Sequence, residues 1–154
     1  MNLIISILTL QVVFTIMMTG LIWFVQLVHY PLLSSVGIQS SSQYAREHVS
    51  RTAKLVGPLM LGEMLFTVLA VFVTGGLVWI LSLFGLFLLL AIWCSTFLIQ
   101  VPCHTRLTSA FDPVTHRELT VTNWIRTLLW TSRSVLTIWM LVDTAISHPF
   151  ALGI

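Results

Sequence analysis

Charge is what this chain has least of. Charged residues make up 8% of its 154 positions and hydrophobic ones 57%, a balance far outside the range of soluble globular proteins. The five acidic residues are too few for the carboxylate cage of a ferritin-like bundle. The two cysteines, Cys94 within an apolar run and Cys103 at its end, are too far apart for a C-x-x-C motif and do not suggest a structural disulfide. No H-E-x-x-H, E-x-x-H or C-x-x-C-H spacing occurs, so no familiar metalloprotease, di-iron or c-type haem signature is present. No basic residue precedes the first apolar run, which is about twice the length of a signal-peptide core. It reads as a retained helix, with the mature chain expected to begin near Met1.

What is present is a set of long apolar runs, at 3–28, 55–73, 77–101 and 124–145. Each approaches or exceeds the roughly 20 residues that cross about 30 Å of hydrocarbon. The runs are continuous rather than alternating, which excludes a barrel and leaves helices as the spanning solution. The expected architecture is all-α: a single integral membrane domain over 1–154, a bundle of four transmembrane helices at about 3–30, 41–74, 77–104 and 113–146.

All seven basic residues, Arg46, Arg51, Lys54, Arg106, Arg117, Arg126 and Arg133, fall in the connections 31–54 and 103–123 or in adjoining helix ends. The opposite side, with Asn2, the Thr74-Gly75-Gly76 turn, Asp143 and His148, has no Lys or Arg. The positive-inside rule then puts those two connections in the cytoplasm and both termini outside, as in a bacterial inner-membrane protein. The net charge of +2 reflects that asymmetry and gives no reason to expect a nucleic-acid partner. In the first connection Ser40 and Gln43 have capping-box spacing, which predicts a helix start near Ser41. In the second, Asp112 and Pro113 read as N-cap and first helical residue.

Polar residues recur at helical spacing. Thr15, Thr19, Gln26 and His29 form one row; Trp93, Thr96, Gln100 and His104 another; His116, Asn123, Arg126, Trp130 and Arg133 a third. His48, Arg51 and the deeper Glu63 mark the remaining helix. Groups of this kind are not turned to lipid, so the rows should face one another around a polar cavity in the cytoplasmic half of the bundle. An unpaired charge at depth costs at least ~2.5 to 3.5 kcal/mol, which predicts a contact between Glu63 and Arg133. Gln26 with His29 and Gln100 with His104 stand at matching places, as a parallel duplication of two halves would leave them.

The candidate catalytic set is His29, His104, Glu63, Arg126 and Arg133, with Gln26, Gln100, Asn123, Trp124 and Trp130 as substrate-binding residues. His29, His48 and His104 are candidate metal ligands, since imidazole suits iron or copper and paired histidines from two helices suit haem. The alternative is that the same residues act as interhelical hydrogen bonds and interfacial anchors. Two functions from different classes follow. One is a membrane oxidoreductase acting on an apolar aromatic or quinone-like molecule. The other is a non-catalytic subunit of a homo-oligomer or larger respiratory or photosynthetic complex, with Trp79, Phe84 and Phe87 as contact ridges. Four short-looped helices leave little room for a transporter.

The stretches "VHYPLL", "QVPCHTRL" and "TNWIRTLLW" resemble the anthrone-oxygenase-like family of small four-helix membrane proteins. Members of known role oxidise phenolic, anthrone-like polycycles. The resemblance implies that His29, Pro31, Pro102, His104, Trp124 and Arg126 line the functional site. Family members often carry Asn where this chain has His104, a departure that leaves the substrate open.

Overall fold

A computed structural model describes residues 3–147. The described residues form four helical rods and no strand. α1 runs over Leu3–Leu33 and α3 over Gly76–Ser109; α2 is Ile38–Val73 and α4 is Pro113–Ser147. α1 and α3 each pack against both α2 and α4, which gives a closed ring of four. By length and composition, α1, α2 and α3 are long and apolar enough to cross a membrane, consistent with a bilayer environment.

α4 differs because its inner face is polar. Asn123, Arg126, Thr127, Arg133, Ser134, Thr137 and Thr144 are buried, whereas Val121, Leu128, Val135, Trp139 and Val142 are exposed. This inside-out distribution is the reverse of a helix on the surface of a soluble domain.

Proline shapes α1 and α3 in the same way. Each contains one widened π turn, Val25–His29 and Thr96–Gln100. The turns close by Tyr30 N–H donating to Val25 C=O and Val101 N–H to Thr96 C=O, and the next residues are Pro31 and Pro102. A proline lacks the N–H of a regular turn, and its ring crowds the carbonyl four residues back. A π turn absorbs both defects. In this shared register His29, not Gln26, corresponds to Gln100. The sequence-based pairing of Gln26 with Gln100 and His29 with His104 is therefore out of step with the backbone, although the halves do share the π-turn and proline arrangement.

The helix ends follow local chemistry. Gly76 adopts φ +56, a left-handed conformation natural to glycine, in the turn joining α2 and α3. At the other end, hereafter the loop end, α4 starts as its sequence predicts: Val114 and Thr115 N–H donate to the Asp112 carboxylate, and Pro113 is the first helical residue. The start of α2 does not follow the expected capping box. Its N-cap is Gly37, without a side-chain hydrogen bond, and Gln43 donates along the helix to Glu47 instead. The N-terminal part of α2 also holds the end of α3, with Arg46 donating to Thr108 C=O at 2.9 Å and Ser42 to Ser109 C=O at 3.1 Å. Terminal carbonyls that lack intrahelical partners are satisfied in this way.

Candidate functional site

Two polar regions lie inside the bundle. The first is the expected pair. Arg133 Nε donates to Glu63 Oε1 at 3.1 Å, and both side chains are fully buried. Each guanidinium nitrogen and each carboxylate oxygen of the pair has a partner. Arg133 also donates to Thr67 Oγ1 at 2.9 Å and to the Gly85 carbonyl. Glu63 accepts from Thr15 Oγ1 at 2.9 Å and from Trp130 Nε1 at 3.0 Å. All four rods thus meet on one ion pair, the condition under which a buried pair is tolerated.

The second region is a cavity of about 280 Å³, near the low end of small-molecule site volumes. Its loop end carries Tyr30, His48 and His104, and its deeper end Met18, Ile22 and Met60. The exposed members of its wall, Val49 and Ala53 on α2 and Phe97, Val101 and Thr105 on α3, place the opening sideways between those helices. Most of the wall is apolar. The polar groups in it are few and converge from different rods, as expected of a site that orients a ligand.

Tyr30 is 1% exposed, and its hydroxyl shares a hydrogen bond with His104 Nε2 at 3.2 Å. Arg126 lies over the Trp130 ring, 5.9 Å from its centroid. It donates through Nε and Nη2 to Asn123 Oδ1 and through Nη1 to Thr96 Oγ1. Asn123 in turn donates to Gln26 Oε1 at 2.8 Å, and Gln26 to Thr120 C=O. Gln26 and Asn123 therefore hold Arg126 rather than line the cavity. Gln100 lines it directly and donates to Thr122 Oγ1 at 2.9 Å.

The three histidines expected as metal ligands do come together. His29 and His48 stack at 3.9 Å with ring planes 14° apart, and His48 lies 5.7 Å from His104. Tyr44 extends the stack on the side of His29 and His48. Stacked rings present π faces to one another, whereas metal ligation needs converging lone pairs. Among the described residues no group of three or more His, Cys, Asp or Glu is placed to hold a metal ion. The stacked set does not converge as a protein-only site for the iron or copper ion expected from sequence would require. His116 is used elsewhere, donating from Nε2 to the Tyr30 carbonyl at 2.9 Å.

The candidates therefore separate. His48, Gln100, His104, Arg126 and Trp130 line the cavity. His29 stands behind His48, while Glu63 and Arg133 lie in the sealed network. Trp124 is 39% exposed and meets Trp23 edge-on at 5.7 Å, away from the cavity. Tyr30 is a site residue that helical spacing missed; Thr96 stood in the polar row read from the sequence but not among the candidate site residues. On a regular helix the position four after Val25 is His29. The π turn inserts one residue and brings Tyr30 to the cavity instead, and Pro31 was the signal in the sequence. No family model, curated protein or solved structure matches the chain.

Proposed function

We propose that this chain is a four-span membrane protein that binds a flat apolar molecule, aromatic or quinone-like, in the cavity between α2 and α3. The observation that carries this reading is the sideways opening of a mostly apolar cavity onto a few convergent polar groups, Tyr30, Gln100, His104 and Arg126. A molecule dissolved in lipid reaches such a site without passing through water. The inside-out pattern of α4 supports counting it as the fourth span. The confinement of Lys and Arg to one side supports cytoplasmic connections and outer termini.

Within this reading the reaction is a two-electron oxidation of a hydroquinone to its quinone, with dioxygen as the acceptor and hydrogen peroxide as the other product, as the resemblance to the anthrone-oxygenase-like family suggests. A phenolic O–H gives its proton to His104, which Tyr30 orients, and the resulting oxyanion lies against the Arg126 guanidinium. Trp130, held by Glu63, forms the apolar floor beneath it. The test is detergent-purified protein supplied with 1,4-naphthohydroquinone, with quinone formation followed by absorbance and dioxygen uptake by electrode. Turnover in the parent that vanishes in His104→Ala supports the reading. A parent no faster than the variant overturns it.

The second reading, a non-catalytic subunit, draws on the exposed Trp79, Phe84 and Phe87 and on the sealed Glu63–Arg133 network as helix glue. It predicts that the chain purified alone is unstable and that a partner co-purifies with it.

A further inference from the structure

The chain has five acidic residues, and none stands opposite Arg126. Glu63 belongs to Arg133, Glu47 to Arg51, and Glu118 faces Arg106. Asp112 caps α4. Asp143 lines a separate recess at the turn end of the bundle with Ile4 and Thr74. Arg126 is only 8% exposed, yet its contacts are to neutral oxygens, those of Asn123, of Thr96 and of the Tyr30 hydroxyl. An uncompensated guanidinium in the wall of an apolar cavity is a costly arrangement for a packing device. In the same wall Gln100 is 1% exposed, and its Oε1 has no hydrogen-bond partner. A buried carbonyl oxygen left without a donor is likewise a cost that a partner would remove. The cavity thus carries one fixed positive charge and one unfilled acceptor.

We propose that the ligand is an amphiphilic acid. Its apolar body fills the space beside Met18, Ile22 and Met60. Its head places an anionic oxygen on Arg126 and donates from a neighbouring O–H or N–H to Gln100 Oε1. This rests on the cavity being the binding site and goes beyond it, because the charge is on the ligand before any reaction rather than developing during one. The desolvation of Arg126 is already built into the fold, so an anionic head gains a charge-assisted hydrogen bond that a neutral analogue does not. A site with buried polar groups discriminates against analogues that leave those groups unpaired. The acid can be a free molecule or an acidic lipid of the bilayer, since both present the same chemistry to Arg126.

The experiment uses the full chain in phosphatidylcholine nanodiscs and a matched pair of fluorescent probes, 3-hydroxy-2-naphthoate and its methyl ester. The acid is expected to bind about tenfold or more tighter than the ester. In Arg126→Gln the ratio of acid to ester affinity is expected to fall to about one, and in Arg126→Lys the preference is expected to persist in part. Equal binding of acid and ester to the parent, or a preference that survives in Arg126→Gln, overturns the proposal while leaving the cavity reading intact. Binding of neither probe overturns both. If Arg126→Gln does not fold, the Lys variant and the parent acid-to-ester ratio still decide. Adding phosphatidic acid to the nanodiscs distinguishes the sources: displacement of the naphthoate points to a lipid acid, and undisturbed binding to a free one.

Discussion

Two arginines on one face of α4 have opposite surroundings. Arg133 is fully buried against Glu63, with Thr67 and the Gly85 carbonyl as its further partners. Arg126, two turns nearer the loop end, is nearly as buried but faces a cavity and has only neutral partners. The first closes the bundle by joining all four rods. The second leaves charge at the edge of an open space. Burial alone does not distinguish a structural cation from a functional one; the inventory of partners does.

That comparison breaks most sharply at Arg133. Arg133→Gln leaves Glu63 buried without its cation, and the expected loss is about 3 to 5 kcal/mol, read as a fall in thermal unfolding midpoint or in folded yield in detergent. Replacing both, Glu63→Leu with Arg133→Leu, is expected to recover most of that loss. A double variant as unstable as the single one would mean that the network does more than compensate charge.

Next in size is the seam beside that network. A Cβ on Gly62 would come within 2.5 Å of the Phe14 ring, which is itself stacked on Phe66. Gly62→Ala is expected to cost about 1 to 3 kcal/mol through overpacking of α1 on α2, with ligand binding in the cavity unaffected. An unchanged unfolding midpoint would show that the Phe14 ring moves aside freely.

Arg126→Gln sharpens the contrast from the other side. Removal of an uncompensated buried charge offsets the hydrogen bonds lost to Asn123 and Thr96, so stability is expected to stay within about 1 kcal/mol of the parent. A collapse comparable to that of Arg133→Gln would place Arg126 in the structural class.

The smallest effect is expected at Asp112, which lies outside both regions. The Thr115 hydroxyl, and then the Thr115 and Val114 N–H groups, hold its carboxyl below the usual aspartate range. Because the folded form has the lower pKa, its contribution is present at neutral pH. It is lost as pH falls below the unfolded value of about 3.9. Asp112→Ala should lower the unfolding midpoint slightly at neutral pH and leave it less dependent on acid than the parent. Identical acid profiles in the two would mean that the cap contributes nothing.

Much of the fold was legible in the sequence. The long apolar runs locate the rods, and the Asp112-Pro113 pair locates the start of α4, because both signals are local. Glu63 and Arg133 could be paired without coordinates, since two deep charges of opposite sign in apolar runs have few other ways to be accommodated. The cavity was less legible. Helical spacing assumes 3.6 residues per turn, and the π turns before Pro31 and Pro102 change that count just where the site is built. His29 was therefore expected in the place that Tyr30 occupies.

The sequence by itself determined that the chain is helical, that at least three of its helices are apolar enough for a bilayer, and that its deep charges need company. Those properties follow from composition and from the backbone's need to satisfy its own hydrogen bonds in hydrocarbon. Only the tertiary structure decided which arginine received the one deep carboxylate, which histidines stack and which of them line the cavity, and where the wall opens. Each of these depends on how four rods rotate against one another, and a single turn with one extra residue is enough to change the answer.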